Sequence, residues 1–248
     1  MCYNHAYTIA NLSKELKNMQ EKAWEKEYQK PKLVTGGDEP QTSVRDFVRF
    51  LRKEEKVNLD GLRVLDLGSG GGKNSIYLAE HGALVTGMEI SSTAIEKARA
   101  RVRELELPVP SVTFLKHSIG EPYPFPDNSF DLLLDVTSSN SLDQSERAVY
   151  LKECHRVLAP HGHFFVRTLC KDGDENAKNL LKQNPGPEPE TYYMPELDLF
   201  ERVWSREDFL ATYSPLFIIQ SLEKSTQYTR FNNRSYKRNF WLAYLVKG

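Results

Sequence analysis

The feature that most constrains this chain is a short, mainly apolar stretch, Val64–Leu67, that leads directly into a glycine-rich loop ending at Gly72. A helix-like segment follows from Lys73 to Glu80. A strand, a glycine turn and a helix in succession let a backbone approach a nucleotide-like ligand closely. The spacing of the glycines then indicates the class of ligand.

Two common nucleotide-binding patterns do not fit this loop. The dinucleotide pattern G-x-G-x-x-G requires glycine at position 73, where the chain has lysine. The phosphate-binding pattern G-x-x-x-x-G-K-[ST] requires glycine and a hydroxyl residue where the chain has Leu67 and Asn74. The pattern that remains is D-x-G-x-G-x-G, formed by Asp66, Gly68, Gly70 and Gly72. A glycine-rich turn without a ligand is the alternative.

From Leu62 to Leu169 the sequence alternates between apolar segments and helical patterns. The predicted strands are Arg63–Leu67, Ala83–Ile90, Ser111–Lys116, Phe130–Val136 and His163–Leu169. This alternation predicts right-handed crossovers and a parallel sheet, with a ligand beyond the carboxyl ends of the strands. The polar residues at or near those ends are Asp66, Glu89, His117, Ser118, Asp135 and Arg167.

The flanking segments are less regular. The segment Asn11–Lys30, which contains Trp24, is predicted to be a helix, either lying across a site or simply packing. The segment Lys171–Arg202 holds four prolines and no obvious strand, and a loop of this length is usually functional or disordered. Two strands, Phe217–Leu222 and Phe240–Val246, are predicted to end the chain, with a basic link between them. We therefore expect a lid at 1–42 and a main domain at 43–248, with 171–202 inserted as a substrate cap.

Composition limits the class of protein. A chain of 248 residues with a formal net charge of −1 is long enough for one sizeable core and has no global charge that would attract nucleic acid or membrane. Its three cysteines have no metal-ligand spacing, so we expect no metal site. Sparse cysteines and the absence of a signal-peptide pattern favour the cytoplasm.

The loop formed by Asp66–Gly72 resembles the first motif of the class I S-adenosylmethionine-dependent methyltransferases. The resemblance covers Leu62–Leu169, and more loosely the two C-terminal strands. The stretches Tyr123–Asp131 and Glu153–Gly162 are similar to the family's segments before strands four and five, although His161 replaces a glycine. The resemblance implies an α/β fold, a Rossmann-like three-layer sandwich, with a mostly parallel seven-stranded sheet and an antiparallel C-terminal strand.

The resemblance also implies S-adenosyl-L-methionine as the cofactor, wrapped by the glycine loop. Glu89 would accept the ribose hydroxyls, because a carboxylate offers two acceptor oxygens. After strand three the chain has Ser118 and Ile119 where the family often has an acid, which puts adenine recognition at this position in doubt. The predicted cofactor-binding residues are Trp24, Asp66, Gly68, Ser69, Gly70, Gly72, Met88, Glu89, Ile90, Ser118, Ile119 and Asp135. Core packing is the alternative for Met88 and Ile90, and a solvent-facing strand end for Asp135.

The function implied by the resemblance is methyl transfer to an acceptor, preferably a small molecule, with release of S-adenosyl-L-homocysteine. No general base stands out, and the candidates in principle are His5, Tyr7, Tyr28 and His117. Two alternatives remain open. One is a tRNA or protein methyltransferase that uses the basic segment 230–238, and the other is a cofactor-binding protein without catalysis.

Overall fold

The computed structural model describes residues 19–31, 37–108, 110–231 and 234–248, without the side chains of 229–231 and 234. The described part of the first helix, α1, spans 19–29. The other helices are α2 (Thr42–Lys53), α3 (Lys73–Glu80), α4 (Ser92–Glu104), α5 (Gln144–Val157), α6 (Glu175–Gln183) and α7 (Arg206–Tyr213). The strands are β1 (Arg63–Leu67), β2 (Leu84–Glu89), β3 (Val112–Lys116), β4 (Phe130–Val136), β5 (Leu158–Leu169), β6 (Thr191–Met194), β7 (Leu199–Arg202), β8 (Ile218–Phe231) and β9 (Arg234–Val246).

Seven strands form one sheet in the order β3-β2-β1-β4-β5-β9-β8. Strands β1 to β5 pair in parallel, and β9 is antiparallel to both of its neighbours, β5 and β8. The predicted fold class is therefore confirmed, including the antiparallel C-terminal strand. The order of the strands reverses between β1 and β4, which opens a crevice beyond their carboxyl ends.

Two layers of helices cover the sheet because alternate residues of its central strands face opposite sides. On one side, Val44, Phe47 and Leu51 of α2 pack with Leu134 of β4 and Phe165 of β5. The adjacent part of this layer is α4, whose Ile95 and Ala98 pack on Phe114 of β3. On the other side, a second cluster joins α5 and α7 to the sheet; its members include Leu133, Tyr150, Cys154, Phe164 and Phe209. These layers form the expected three-layer sandwich.

The structure differs from the sequence-based prediction in the C-terminal third. The link between the last two predicted strands is itself part of a long hairpin, in which β8 and β9 pair from Ile218↔Val246 to Phe231↔Arg234. The segment Lys171–Arg202 contains α6 and the two-stranded sheet of β6 and β7. The prediction of no strand there was wrong, because these elements are short and are held by polar contacts. One such contact is the Asp174 side chain, which accepts a hydrogen bond from the Ala177 backbone N–H at 2.9 Å.

Candidate functional site

A cavity of about 210 Å³ lies at the carboxyl ends of β1 to β4, where the strand order reverses. The sheet side of its wall consists of the segments that follow these strands, namely Gly68–Gly71, Glu89 with Ile90, His117–Ile119 and Val136–Ser138. Gln20, Trp24 and Tyr28 of α1 close the opposite side. The cavity therefore lies where an open α/β sheet binds its ligand.

The glycine loop has a left-handed backbone at three positions, with φ of +66° at Gly68, +56° at Gly70 and +79° at Gly72. A Cβ atom at Gly68 would lie 2.3 Å from Cβ of Ser138. At Gly70 it would lie 2.2 Å from the Tyr28 hydroxyl oxygen. Both the backbone conformation and these close contacts exclude larger residues. The loop is thus shaped by the turn after β4 and by α1, as well as by any ligand.

Glu89 lies at the end of β2 and faces the cavity. One carboxylate oxygen accepts the Gly70 backbone N–H at 2.8 Å, and the other accepts the N–H groups of Ile90 and Ser91, both at 2.8 Å. Burial raises its pKa, and the three backbone hydrogen bonds oppose this change. A carboxylate offers about four acceptor positions, so Glu89 retains acceptor capacity for a ligand.

Two further buried carboxylates, Asp66 and Asp135, lie beneath the cavity and do not line it. Burial raises the pKa of Asp66 to about 7; the hydrogen bond from Ser75 opposes this rise, whereas the charges of Asp135 and Glu89 add to it. Asp135 accepts hydrogen bonds from the Tyr150 hydroxyl at 2.6 Å and from the Ser138 N–H at 2.9 Å. In the described part of the chain, none of the three carboxylates forms an ion pair with a basic side chain.

Helix α1 is attached to the domain by polar contacts on both sides of the cavity. Near its start, Gln20 donates to the Ser141 carbonyl and, at 3.1 Å, to the Glu146 carboxylate. In the middle, Glu25 accepts hydrogen bonds from the Ser91 hydroxyl at 2.7 Å and from the hydroxyl and N–H of Thr93, at the N-terminus of α4. The helix therefore covers the cavity in the manner of a lid.

The structure brings most of the predicted cofactor-binding residues to the cavity wall. Those on the wall are Trp24, Gly68, Ser69, Gly70, Glu89, Ile90, Ser118 and Ile119. Four others do not line the cavity: Asp66 and Asp135 lie beneath it, Gly72 packs against Phe114 and Ala98, and Met88 is fully buried in the core. For Met88 the structure thus supports the core-packing alternative. Asp135 is fully buried, so its solvent-facing alternative does not hold.

Residues 65–166 match the sequence model of a methyltransferase domain family. Among curated proteins, the chain is 33% identical over 109 residues to an uncharacterized methyltransferase of Synechocystis sp., covering 44% of this chain and 48% of the relative. It is 30% identical over 122 residues to a ubiquinone biosynthesis O-methyltransferase of Coxiella burnetii, covering 49% and 50%. The chain spans about half the length of these relatives.

The fold is also similar to that of solved methyltransferases. The structure of an S-adenosylmethionine-dependent methyltransferase from Methanosarcina mazei superposes with a TM-score of 0.68 at 21% identity, over 84% of this chain and 98% of that chain. A Burkholderia thailandensis 1,6-didemethyltoxoflavin N1-methyltransferase, solved with S-adenosylhomocysteine bound, gives a TM-score of 0.59 at 16% identity, over 83% and 78%. Residues 65–166 are thus similar to a methyltransferase domain, and the fold is that of solved S-adenosylmethionine-dependent methyltransferases.

The charges around the cavity fit S-adenosylmethionine, the cofactor that the resemblance implies. S-adenosylmethionine carries a positive sulfonium and a positive ammonium group, and Asp66, Glu89 and Asp135 gather negative charge around the loop without basic partners in the described part of the chain. Buried carboxylates that have hydrogen bonds but no basic partner still carry a desolvation cost, which a cationic ligand would offset. The loop and Glu89 would hold the cofactor, which would supply an activated methyl group.

Of the predicted candidate bases, His117 lines the cavity, and its Nε2 lies 2.9 Å from the Pro122 carbonyl oxygen. Burial and the charges of Glu89 and Asp66 raise the pKa of Tyr28, so its phenol stays protonated at neutral pH and is not a base there. His5 and Tyr7 lie outside the described residues. No helix in the described ranges is long and apolar enough to cross a membrane.

Sequence reasoning missed Gln20 and Glu25, whose hydrogen bonds attach α1 to the rest of the domain. Their signal was weak because polar residues on a surface helix are normally solvated. In the basic segment 230–238, Arg238 is partly buried: it donates to the Tyr192 hydroxyl at 2.9 Å, and its Nε lies 3.7 Å from Asp174. Arg238 therefore faces the inserted segment 171–202 and is not part of an open basic surface. That the basic segment binds tRNA or a protein substrate stays a prediction.

Proposed function

We propose that the protein transfers a methyl group from S-adenosylmethionine to a small-molecule acceptor and releases S-adenosylhomocysteine. The main support for this proposal is the cavity, whose wall includes both the glycine loop and Glu89. The cavity lies at the carboxyl ends of the strands, where the strand order reverses between β1 and β4. The match of residues 65–166 to a methyltransferase family supports it. The ubiquinone biosynthesis and didemethyltoxoflavin methyltransferases act on small molecules according to their names, which favours this class of acceptor.

Methyl transfer from a sulfonium is an in-line displacement, so the chain contributes alignment and exclusion of water. Glu89 and the loop amides would fix the orientation of the cofactor. The negative charges of Asp66 and Asp135, beneath the loop, would stabilise the positive charge of the cofactor. Gln20, Trp24 and Tyr28 of α1 would keep water out, because they form the wall opposite the sheet. His117, one of the candidate bases, lines the cavity and would accept the proton from an acceptor that must lose one.

The inserted segment extends this covering. Leu197 and Leu199 pack against Ala23 of α1, so the lid and the insertion contact each other. We infer that the insertion caps the acceptor, since it adjoins the lid. Two free, buried cysteines, Cys154 and Cys170, accord with a reducing compartment, and we infer a cytoplasmic location.

Binding of S-adenosylmethionine and S-adenosylhomocysteine, measured by calorimetry, tests the proposal first. Glu89→Gln removes the charge at the cavity wall and should weaken binding at least about tenfold, the effect of losing a charge-assisted hydrogen bond. Glu80→Gln is the matched control, because Glu80 is an exposed residue of α3. Failure of the wild-type protein to bind either compound would refute the proposed function.

A turnover assay tests whether the protein catalyses methyl transfer and to which class of acceptor. The assay measures S-adenosylhomocysteine release with metabolite pools and with bulk tRNA. Release with a metabolite pool is the expected result. Release only with tRNA would favour the nucleic-acid alternative, and binding without release would favour the non-catalytic one.

A further inference from the structure

A second, smaller pocket of about 20 Å³ adjoins the cavity, beside the short 3₁₀ turn Ser139–Ser141 that follows β4. Its other walls come from the start of α1 and from the insertion 171–202. Gln20, Ser141 and Leu142 line both the pocket and the cavity, so the two share a boundary. A volume of this size holds one small polar group, since a single water molecule needs about 10–15 Å³.

Two residues of the pocket wall carry buried polar atoms without a hydrogen-bond partner among the described residues. These atoms are Nδ2 of Asn140, which is 1% exposed, and the hydroxyl oxygen of Ser141, which is 6% exposed. The Asn140 amide has a fixed orientation, because its Oδ1 lies 3.4 Å from the Leu169 backbone N–H, which can only donate. The free atom is therefore the NH₂ donor. Buried donors without an acceptor cost free energy, so they point to an acceptor group on a ligand.

The charged side chains on the pocket wall are acidic. They are Asp143, Glu188 and Glu201, and no basic side chain of the described residues lines the pocket. The charge of Glu188 is compensated by Arg147, whose Nη2 lies 2.9 Å from it. Glu201 accepts the Tyr192 hydroxyl at 2.6 Å and has no ion pair with a described residue, since Arg238 donates to the same hydroxyl rather than to the carboxylate. The pocket therefore disfavours a negatively charged group.

Hydrogen bonding and charge together limit the group that the pocket can hold. A carboxylate or phosphate would accept from Asn140 and Ser141, but the acidic side chains of the wall would repel it. An ammonium group would be attracted by those side chains, but it would meet the Asn140 donor with another donor. A neutral amide or hydroxyl group accepts and donates, so it can pair with Asn140 and Ser141 and with a carboxylate such as Glu201. Apolar side chains complete the wall, namely Met19, Leu142 and Phe200.

We propose that this pocket is a subsite for the methyl acceptor, and that the acceptor is an uncharged small molecule whose amide or hydroxyl group binds Asn140 and Ser141. This inference rests on the proposed function and adds the charge and the anchoring group of the substrate. An acceptor held by this polar end extends past Gln20 and Leu142 into the cavity, where the cofactor would lie. The atom that receives the methyl group is then a different part of the molecule, inside the cavity.

The test uses three ring compounds of similar shape, benzamide, benzoate and benzylammonium, as probes on the protein loaded with S-adenosylhomocysteine. NMR titrations at about pH 7 follow the backbone amides of Ser139–Ser141 and the side-chain amide of Asn140. We expect benzamide to shift these signals saturably, and the two charged probes to bind at least about tenfold more weakly. Ser141→Ala should weaken benzamide binding about two- to tenfold, the effect of one hydrogen bond. Ser214→Ala, which changes an exposed serine after α7, is the control and should bind like the wild type.

Each outcome decides the proposal. A saturable response to benzamide that Ser141→Ala weakens supports it. No response of these amides to benzamide, an equal affinity for either charged probe, or an unchanged affinity in Ser141→Ala overturns it. Glu201→Gln keeps the shape of the side chain and removes its charge, so it should improve benzoate binding at least about threefold relative to benzamide. If Ser141→Ala does not fold, Glu201→Gln decides in its place.

The failure of this inference is distinguishable from failure of the proposed function. Glu201→Gln should bind S-adenosylhomocysteine within about twofold of the wild type, because Glu201 does not line the cavity. If the wild type binds no S-adenosylhomocysteine, the proposed function fails, and the same titrations on the unloaded protein then test the pocket by itself.

Discussion

At the scale of single residues, the glycines of the loop after β1 serve different purposes. Gly68 makes room for Ser138, Gly70 makes room for the Tyr28 hydroxyl, and Gly72 makes room for the ring of Phe114. All three have positive φ. At Gly71, between them, an added Cβ would meet no described atom within 4 Å, and φ is not positive. Contacts within the protein therefore require the three glycines of the motif, whereas Gly71, a variable position of the motif, makes no such contact.

The pair Gly70→Ala and Gly71→Ala tests this difference. At position 70 a methyl group meets the Tyr28 hydroxyl and a left-handed backbone costs about 1–2 kcal/mol. We expect Gly70→Ala to displace α1 and to weaken S-adenosylhomocysteine binding at least about tenfold, since each ~1.4 kcal/mol is a factor of ten. Gly71→Ala should bind within about twofold of the wild type. Calorimetry measures both, and equal affinities would contradict the assignment.

Asp66 predicts a pH dependence of ligand binding. Because burial raises its pKa to about 7, the carboxyl is largely protonated below that pH. A cationic ligand favours the ionised form, so the affinity for S-adenosylmethionine should increase as the pH rises from about 6 to about 8, with release of protons. Calorimetry in two buffers of different ionisation enthalpy measures this release. Asp66→Asn should abolish the dependence, and Asp60→Asn, an exposed control, should preserve it.

Without the ligand, Asp66 affects stability in the opposite direction. Its folded pKa of about 7 lies above the ordinary 3.8, so the protein is favoured while the carboxyl is protonated, and this contribution is lost as the pH rises from about 4 to about 7. Asp66→Asn keeps an acceptor for Ser75 and should therefore melt no lower than the wild type at about pH 8. A lower melting temperature would show that the charged form stabilises the fold.

At the scale of elements, the position of α1 over the cavity depends on its contact with the N-terminus of α4. Glu25 accepts hydrogen bonds there from Ser91 and Thr93, as a carboxylate does at a helix N-terminus. Partial burial raises its pKa, but these hydrogen bonds outweigh it and lower the pKa to about 2. The contact is therefore fully present above the ordinary value of 4.5 and is lost as the pH falls toward about 2.

Glu25→Ala should loosen the lid and leave the cavity wall intact, because Glu25 does not line the cavity. We expect S-adenosylhomocysteine to dissociate about five- to thirtyfold faster, corresponding to a loss of about 1–2 kcal/mol. Stopped-flow fluorescence measures the rate, with Trp24 as the reporter in the wall. Lys22→Ala changes an exposed residue of the same helix and should leave the rate unchanged. An unchanged rate in Glu25→Ala would show that the contact does not control dissociation.

At the scale of the whole molecule, the order of the strands decides where the site forms. Strands β1 and β4 are neighbours in the sheet, although β2 and β3 lie between them along the chain. The segments that follow these four strands therefore meet at one edge, and helix α1 lies over the same edge. Ligand binding should consequently stabilise the lid together with the sheet.

Hydrogen exchange tests this coupling. On binding S-adenosylhomocysteine, the backbone amides of 19–29 should exchange at least about tenfold more slowly, because opening of the lid then requires loss of the ligand. The central strand β5 should change little, since it is already buried. Protection confined to the glycine loop, without any in α1, would contradict a lid that closes over the ligand.

The sequence predicted the regular part of the fold and many of the residues in the cavity wall, because both depend on patterns within short stretches of the chain. Buried parallel strands are continuous apolar runs, and the loop after β1 needs glycines for its backbone, so both appear in short stretches of sequence. The β8–β9 hairpin was underestimated because its outer part is rich in polar residues on both faces. The elements of 171–202 were missed because they are short and held by side chains distant in sequence, such as Tyr192 and Arg238.

By itself, the sequence determined the alternation of strands and helices, the glycine-rich loop after β1 and the acidic residue that ends β2. These features depend on neighbouring residues and on backbone conformation. The tertiary structure alone decided that Met88 and Gly72 pack inward, that α1 lies over Gly70 and that Nδ2 of Asn140 is left without a partner among the described residues. These features depend on contacts between residues far apart in the chain, and on which polar groups burial leaves unpaired.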